Sequence, residues 1–118
     1  MNIEEIHEYC LNKSGVTDSM PFGDTVVVYK VCGKIFLLMS LNDSPLQFNV
    51  KCDPSKVITL REQYSCVIPG YHMNKKHWNT ITIDGSVNNK LLIEWIDHSY
   101  EIIIARLSKT ERMKLLSK

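Results

Sequence analysis

Between Pro69 and Trp78 the chain reads Pro-Gly-Tyr-His-Met-Asn-Lys-Lys-His-Trp. After an opening turn signal, this stretch brings together two lysines, two histidines, an asparagine and two aromatic rings. Ammonium groups pair with phosphates as point charges. Aromatic rings stack on bases, and asparagine or histidine side chains hydrogen-bond to base edges. His72, Asn74, Lys75, Lys76, His77 and Trp78 are therefore candidates for binding something anionic or heterocyclic. The same residues also describe a loop with snorkelling lysines and a tryptophan half-buried against the core. Further lysines, Lys30 and Lys34, flank a turn at Cys32-Gly33. Two β-turns with cationic tips would act as wings, a narrow ribbon entering a groove while its lysines touch phosphates.

The composition limits the alternatives. The formal net charge is +1, so any basic patch must be local and offset by acids elsewhere. The five glycines are scattered at turns and form no phosphate-cradling loop. Neither G-x-S-x-G nor H-E-x-x-H occurs. His7 and His98 read as surface histidines on helices. Glu4, Glu5 and Glu8 read as a solvated helix face complementing the macrodipole. Cys10, Cys32, Cys52 and Cys66 lack the close pairing of a zinc site and read as buried free thiols. No catalytic residue, metal or cofactor is expected. The acidic N-terminal stretch and the lack of a bilayer-length apolar run predict a cytoplasmic protein with no membrane partner.

The elements that must position these residues follow from patterning. With 118 residues the chain fits one domain spanning 1–118. Asn2 caps a helix expected over residues 3–13. A loop covers Ser19–Asp24. The β-branched run from Thr25 to Lys30 and the apolar run from Lys34 to Ser40 form a hairpin, the second strand central in its sheet. Leu46, Phe48 and Val50 alternate with Gln47, Asn49 and Lys51, which marks a half-buried antiparallel strand with a polar outer face. Asp53-Pro54 opens a helix to about Gln63. Residues 65–69 form a short extended piece, and 77–83 another strand with Trp78 on the face opposite Ile81. Ser86 is the expected cap of a long helix presenting Leu92, Trp95, Ile96, Ser99, Ile103 and Leu107 on one side. The residues after Leu107 read as a frayed extra turn. The class is α+β, an antiparallel sheet with helices on one face and the other face open.

Several blocks resemble the MmcQ/YjbR family of small bacterial proteins over nearly the whole chain. They include Pro21-Phe22-Gly23-Asp24, Tyr29 to Phe36, Lys51-Cys52-Asp53-Pro54, the Pro69–Thr80 block and Ile96-Asp97-His98-Ser99-Tyr100. The resemblance implies a fold like CyaY, the bacterial frataxin. It also implies a non-enzymatic DNA-binding module of double-wing type, possessing no established catalytic residues. An alternative is a protein- or small-ligand-binding domain using the open sheet face and the Tyr71–Trp78 region. A third, suggested by fold alone, is frataxin-like metal work.

Overall fold

A computed structural model describes residues 1–70 and 73–116. Its elements are α1 (Ile3–Leu11), β1 (Val16–Ser19), β2 (Val26–Val31), β3 (Lys34–Ser40), β4 (Gln47–Lys51), α2 (Pro54–Gln63), β5 (Val67–Pro69), β6 (Trp78–Thr82), α3 (Asn89–Ala105) and α4 (Lys109–Leu116). The strands form one antiparallel sheet in the order β1-β2-β3-β4-β6-β5. The long helix α3 packs across β2, β3 and β4, while α1 lies by β1 and α2 by β5 and β6. No helix among the described residues is long and apolar enough to cross a membrane.

Local chemistry sets the element ends. Asn2 Oδ1 accepts the Glu5 N–H at 2.8 Å and Glu5 Oε1 accepts the Asn2 N–H at 3.0 Å, a reciprocal cap on α1. Asp53 caps α2, with Pro54 in the first turn. The cap of α3 is Asn88, not Ser86: Asn88 Oδ1 accepts the Leu91 N–H at 3.0 Å. The Ser86 N–H is instead drawn to the Asp84 carboxylate at 2.9 Å, so Ser86 belongs to the preceding turn.

Two elements depart from the sequence expectation. Val16–Ser19 is a strand, although it has a single apolar residue and is mostly exposed. It exists because it adds an edge ladder to β2, and such pairing leaves no hydrophobic alternation to read. The residues after Leu107 form a true helix. Ser108 and Glu111 exchange backbone-to-side-chain hydrogen bonds at its start, and Leu115 is buried beside Gly15 and Val31.

The main core lies between the helices and the sheet, built from Phe36, Leu37, Phe48 and Ile81 below Ile6, Leu92, Ile96 and Ile103. Phe48 and Val50 point inward while Gln47, Asn49 and Lys51 point out, as the alternation predicts. β3 carries a bulge. Tyr29 pairs with Leu37 and Lys30 with Ile35, so Phe36 is the extra residue, and both Phe36 and Leu37 are fully buried. The bulge drops Ile35 and Leu38 onto the opposite face, where Val28, Leu38 and Trp78 make a smaller cluster. Ser99, wholly buried mid-helix, donates its hydroxyl to the Phe36 carbonyl and accepts the Lys51 N–H at 2.8 Å.

The histidines and thiols are less uniform than expected. His7 Nδ1 lies 2.8 Å from the Tyr29 hydroxyl, partly buried. His98 Nε2 accepts the Asp53 N–H at 3.2 Å. Neither is a plain surface histidine, because each lies where a helix meets another element. Cys10, Cys52 and Cys66 are buried, but Cys32 is exposed, because it occupies the tip of the β2–β3 turn.

Two outcomes follow from this packing. A Cβ on Gly70 would stand 2.8 Å from Trp78 Cβ and 2.9 Å from the Trp78 carbonyl oxygen. Gly70→Ala should therefore cost about 1–3 kcal/mol, measured as a lowered urea midpoint. An unchanged midpoint would contradict the close approach. Burial, aided by Lys56, holds the His98 ring below its ordinary value of 6.5, against opposing pulls from Asp53, Glu101 and Glu94. Below that pH the unfolded chain binds a proton that the folded chain resists. Stability should thus be unaffected above it and fall as pH drops through it. His98→Gln should flatten that decline; equal declines in denaturation series from about pH 7 to pH 5 would rule out His98 as its source.

Candidate functional site

Strand direction decides where the cationic turns lie. β2 hands over to β3 through Cys32 and Gly33, with φ angles of 49° and 76°. Two successive positive φ values make a type I′ turn, the tight connection that suits the twist of a hairpin. Lys51, the last residue of β4, pairs with Trp78, the first of β6, and Pro69 at the end of β5 pairs with Asn79. The β2–β3 turn and the β5–β6 connection therefore leave from the same end of the sheet. With β4 between them, they are about three strand spacings apart, roughly 14 Å.

Lys34, Lys75 and Lys76 are exposed at this end, and Lys30 is half-buried. A further cation stands between the turns. Lys51 lies on the face away from the helices, its Nζ 5.9 Å from the centre of the Trp78 ring. Partial burial lowers its pKa below the usual lysine value, and the charges of Arg106 and Lys34 push in the same direction. Arg106 is the residue that closes the C-terminal end of α3, its backbone N–H donating to the Ile103 and Ile104 carbonyls. Among the described residues, none of Lys30, Lys34, Lys51, Lys75 and Lys76 pairs with a carboxylate; an ion pair joins Lys13 and Asp97 elsewhere. This end of the sheet therefore gathers several lysines without paired carboxylates among the described residues, with Asp53 two residues beyond Lys51 engaged as the cap of α2.

The loop into β6 is held from within. Asn74 Oδ1 accepts the Lys76 N–H at 2.9 Å, and the Asn74 carbonyl accepts the N–H groups of His77 and Trp78 at 3.1 and 3.0 Å. Arg61 of α2 donates Nε to Asn79 Oδ1 at 2.7 Å and its terminal nitrogen to the carbonyls of Lys75 and Trp78. Arg61 is thus committed to shaping the loop that presents Lys75 and Lys76. The His77 carbonyl accepts the Cys52 N–H at 2.8 Å, while His77 Nδ1 is buried with no partner among the described residues.

Of the sequence-derived candidates, Lys30, Lys34, Lys75 and Lys76 come to one end of the sheet. Asn74 builds the turn with its side-chain oxygen, and His77 is half-buried. Trp78 lies on the face away from the helices, as the alternation predicts, but is only 8% exposed. Covered by its neighbours, its ring closes that face and is not an open stacking platform. His72 and Tyr71 lie outside the described residues. Lys51 was legible as an outward-facing lysine of an alternating strand but not as part of the site. No spacing rule links Arg106 to residues 34 and 51.

Besides a concavity of about 480 Å³ where Cys32 and Gly33 of the β2–β3 turn meet Glu111 and Lys114, two others bear on ligand binding. One, of about 500 Å³, lies on the uncovered sheet face and is lined by Phe22, Leu38, Asn49, Met73 and Thr80. The other, about 590 Å³, lies between α2 and α3, where Lys56 and Lys90 mix with Glu94, Asp97 and Glu101. No group of three or more histidine, cysteine or carboxylate side chains among the described residues is placed to hold a metal.

Comparison with known proteins agrees with the block resemblance. Residues 11–102 match the YjbR family. The chain is 36% identical over 96 residues to YbdF of Escherichia coli O157:H7, covering 80% of this chain and 78% of that protein. It is 31% identical over 116 residues to YjbR of Escherichia coli K12, covering 98% of each. Among solved structures, the Deinococcus radiodurans protein DR2400, a DUF419 domain, superposes with a TM-score of 0.90 at 32% identity, covering 97% of this chain and 87% of that one. A Pseudomonas syringae protein superposes with a TM-score of 0.75 at 23% identity, covering 86% of this chain and 98% of that one, a likeness of fold alone. With most of its length matched in sequence and in backbone, the chain belongs to the YjbR family.

Proposed function

We propose that this protein is a non-enzymatic DNA-binding module of the double-wing type, which holds the phosphate backbone against the cationic end of its sheet. The observation that carries this reading is the position of Lys51. It stands between two lysine-bearing turns and within electrostatic reach of Lys34 and Arg106, with no carboxylate paired to these lysines among the described residues. Like charges held together in a partly buried setting raise one another's free energy, and an anion laid across them relieves that repulsion. A nucleic-acid backbone supplies such charges at a regular spacing. The tight β2–β3 turn makes the first wing short, so it approaches the backbone more than it penetrates a groove. We read the helix-backed antiparallel sheet as CyaY-like in architecture and place the module in the cytoplasm, where its free thiols are stable.

A second reading draws on the concavity of the uncovered face. Its mixture of apolar and polar lining, with a volume of about 500 Å³, also suits a small ligand or a peptide. A thermal-shift screen with metabolites that raises the melting temperature, in a protein that does not bind DNA, would favour it.

The leading reading predicts a salt signature. With three to five phosphates engaged, the plot of log K against log salt should have a slope of about −3 to −4.5 on duplex DNA. Removing two lysines, as Lys75→Ala/Lys76→Ala or Lys34→Ala/Lys51→Ala, should make that slope shallower by about 2 and weaken binding across all sequences. Fluorescence anisotropy with labelled DNA measures both. No retained DNA at low salt, single- or double-stranded, would end the proposal.

A further inference from the structure

The uncovered sheet face has a feature that phosphate binding does not use. Beside the cationic end, the floor of the 500 Å³ concavity is built from the outward residues of β4 and its neighbours. Gln47 Nε2 donates to Thr82 Oγ1 at 3.2 Å, which leaves its Oε1 as an acceptor. Asn49 Oδ1 accepts the Thr80 hydroxyl, which leaves its amide nitrogen as a donor. Neither remaining group has a protein partner among the described residues. A donor and an acceptor thus stand two residues apart on one strand face, about 7 Å from each other.

Apolar surface surrounds this pair. Val26, Leu38 and Met73 line the concavity, and Phe22 stands at its edge with 64% of its surface exposed. An aromatic ring left in water beside a concave polar floor offers a face for stacking. Charge is graded along the same direction. Lys51 follows Asn49 by two residues, so the cationic end begins about 7 Å beyond the floor. Asp43 lines the concavity and repels phosphate from it.

We infer that the concavity receives one unpaired base of single-stranded DNA, stacked on Phe22 with its edge toward Gln47 and Asn49, while the adjoining phosphate lies on Lys51. This rests on the DNA-binding reading above and makes it specific. Within a duplex, the faces of a base are covered by its neighbours and its pairing edge is occupied. Only an unpaired base can present a face to Phe22 and an edge to the two amides together. Charge complementarity selects the occupant: an uncharged peptide or apolar ligand would have no use for the adjoining cations.

The test compares short labelled single strands with a duplex of equal length, by anisotropy at fixed low salt, on the full chain. The wild type should bind the single strand more tightly. Phe22→Ala, at an exposed position whose loss leaves the core intact, should weaken single-strand binding by roughly 10-fold and leave duplex binding unchanged. Phe22→Trp should restore it. The base slot is overturned if Phe22→Ala has no effect, if it weakens both forms equally, or if the duplex binds as tightly as the strand. It is also overturned if a nucleoside monophosphate displaces the strand at the strand's own concentration, which would assign the slot to free nucleotides. In each of these cases loss of binding by the lysine variants would still uphold the DNA reading; failure of the wild type to bind either form would remove both.

Discussion

The arrangement at the cationic end depends on one buried hydroxyl. Ser99 sits in the otherwise apolar stripe of α3 and reaches two backbone groups, the Phe36 carbonyl and the Lys51 N–H. Phe36 is the bulged residue of β3 and pairs in neither neighbouring ladder. A buried carbonyl without a partner costs about as much as a lost hydrogen bond, and Ser99 supplies the partner from the helix. The same contact ties the last residue of β4 to α3. The helix, the bulge and the end of β4 are thereby held as one unit, with Arg106 seven residues farther along α3 from Ser99.

That unit explains how a nearly neutral chain concentrates charge. The net charge is +1, yet Lys34, Lys51 and Arg106 share one region and Lys75 and Lys76 stand beside it. Arg61, the other cation near the loop, is turned inward onto backbone carbonyls, a task that suits its planar fork of donors. The loop's own shape comes from Asn74 and Arg61, so its lysines remain directed to solvent. One acid is spent elsewhere: Asp97 pairs with Lys13 and also accepts the Tyr9 hydroxyl, whose pKa rises to about 12 through burial and this contact.

The two faces of the sheet have different fates. Helices close one face over a continuous apolar core. The other is closed only around Val28, Leu38 and Trp78, and opens farther along into the concavity beside Phe22. The bulge contributes to both. By sending Phe36 and Leu37 to the helical side, it restores Leu38 and Ile35 to the face where Trp78 packs. A tryptophan used as cover is rigid, and the aliphatic stem of Lys51 lies where its ammonium group can rest over that ring.

Local patterns determined much of this in advance. Strict alternation in Gln47–Lys51 fixes which residues face the core, because the side-chain period of a strand is two. The stripe from Leu92 to Leu107 reads directly as the buried face of α3, and Asp53-Pro54 and Cys32-Gly33 declare a helix start and a tight turn. Those signals establish an antiparallel α+β domain with Trp78 turned away from the helices. Tertiary structure alone decided the rest. β1 is visible only through its ladder to β2, α4 is held in place by Leu115 against Gly15, and the neighbourhood of Lys34, Lys51 and Arg106 joins three distant parts of the chain. The physical reason is range. Periodicity and capping act over a few residues, whereas the order of strands is set by how all the apolar faces can be buried at once, and only that order brings distant charges together.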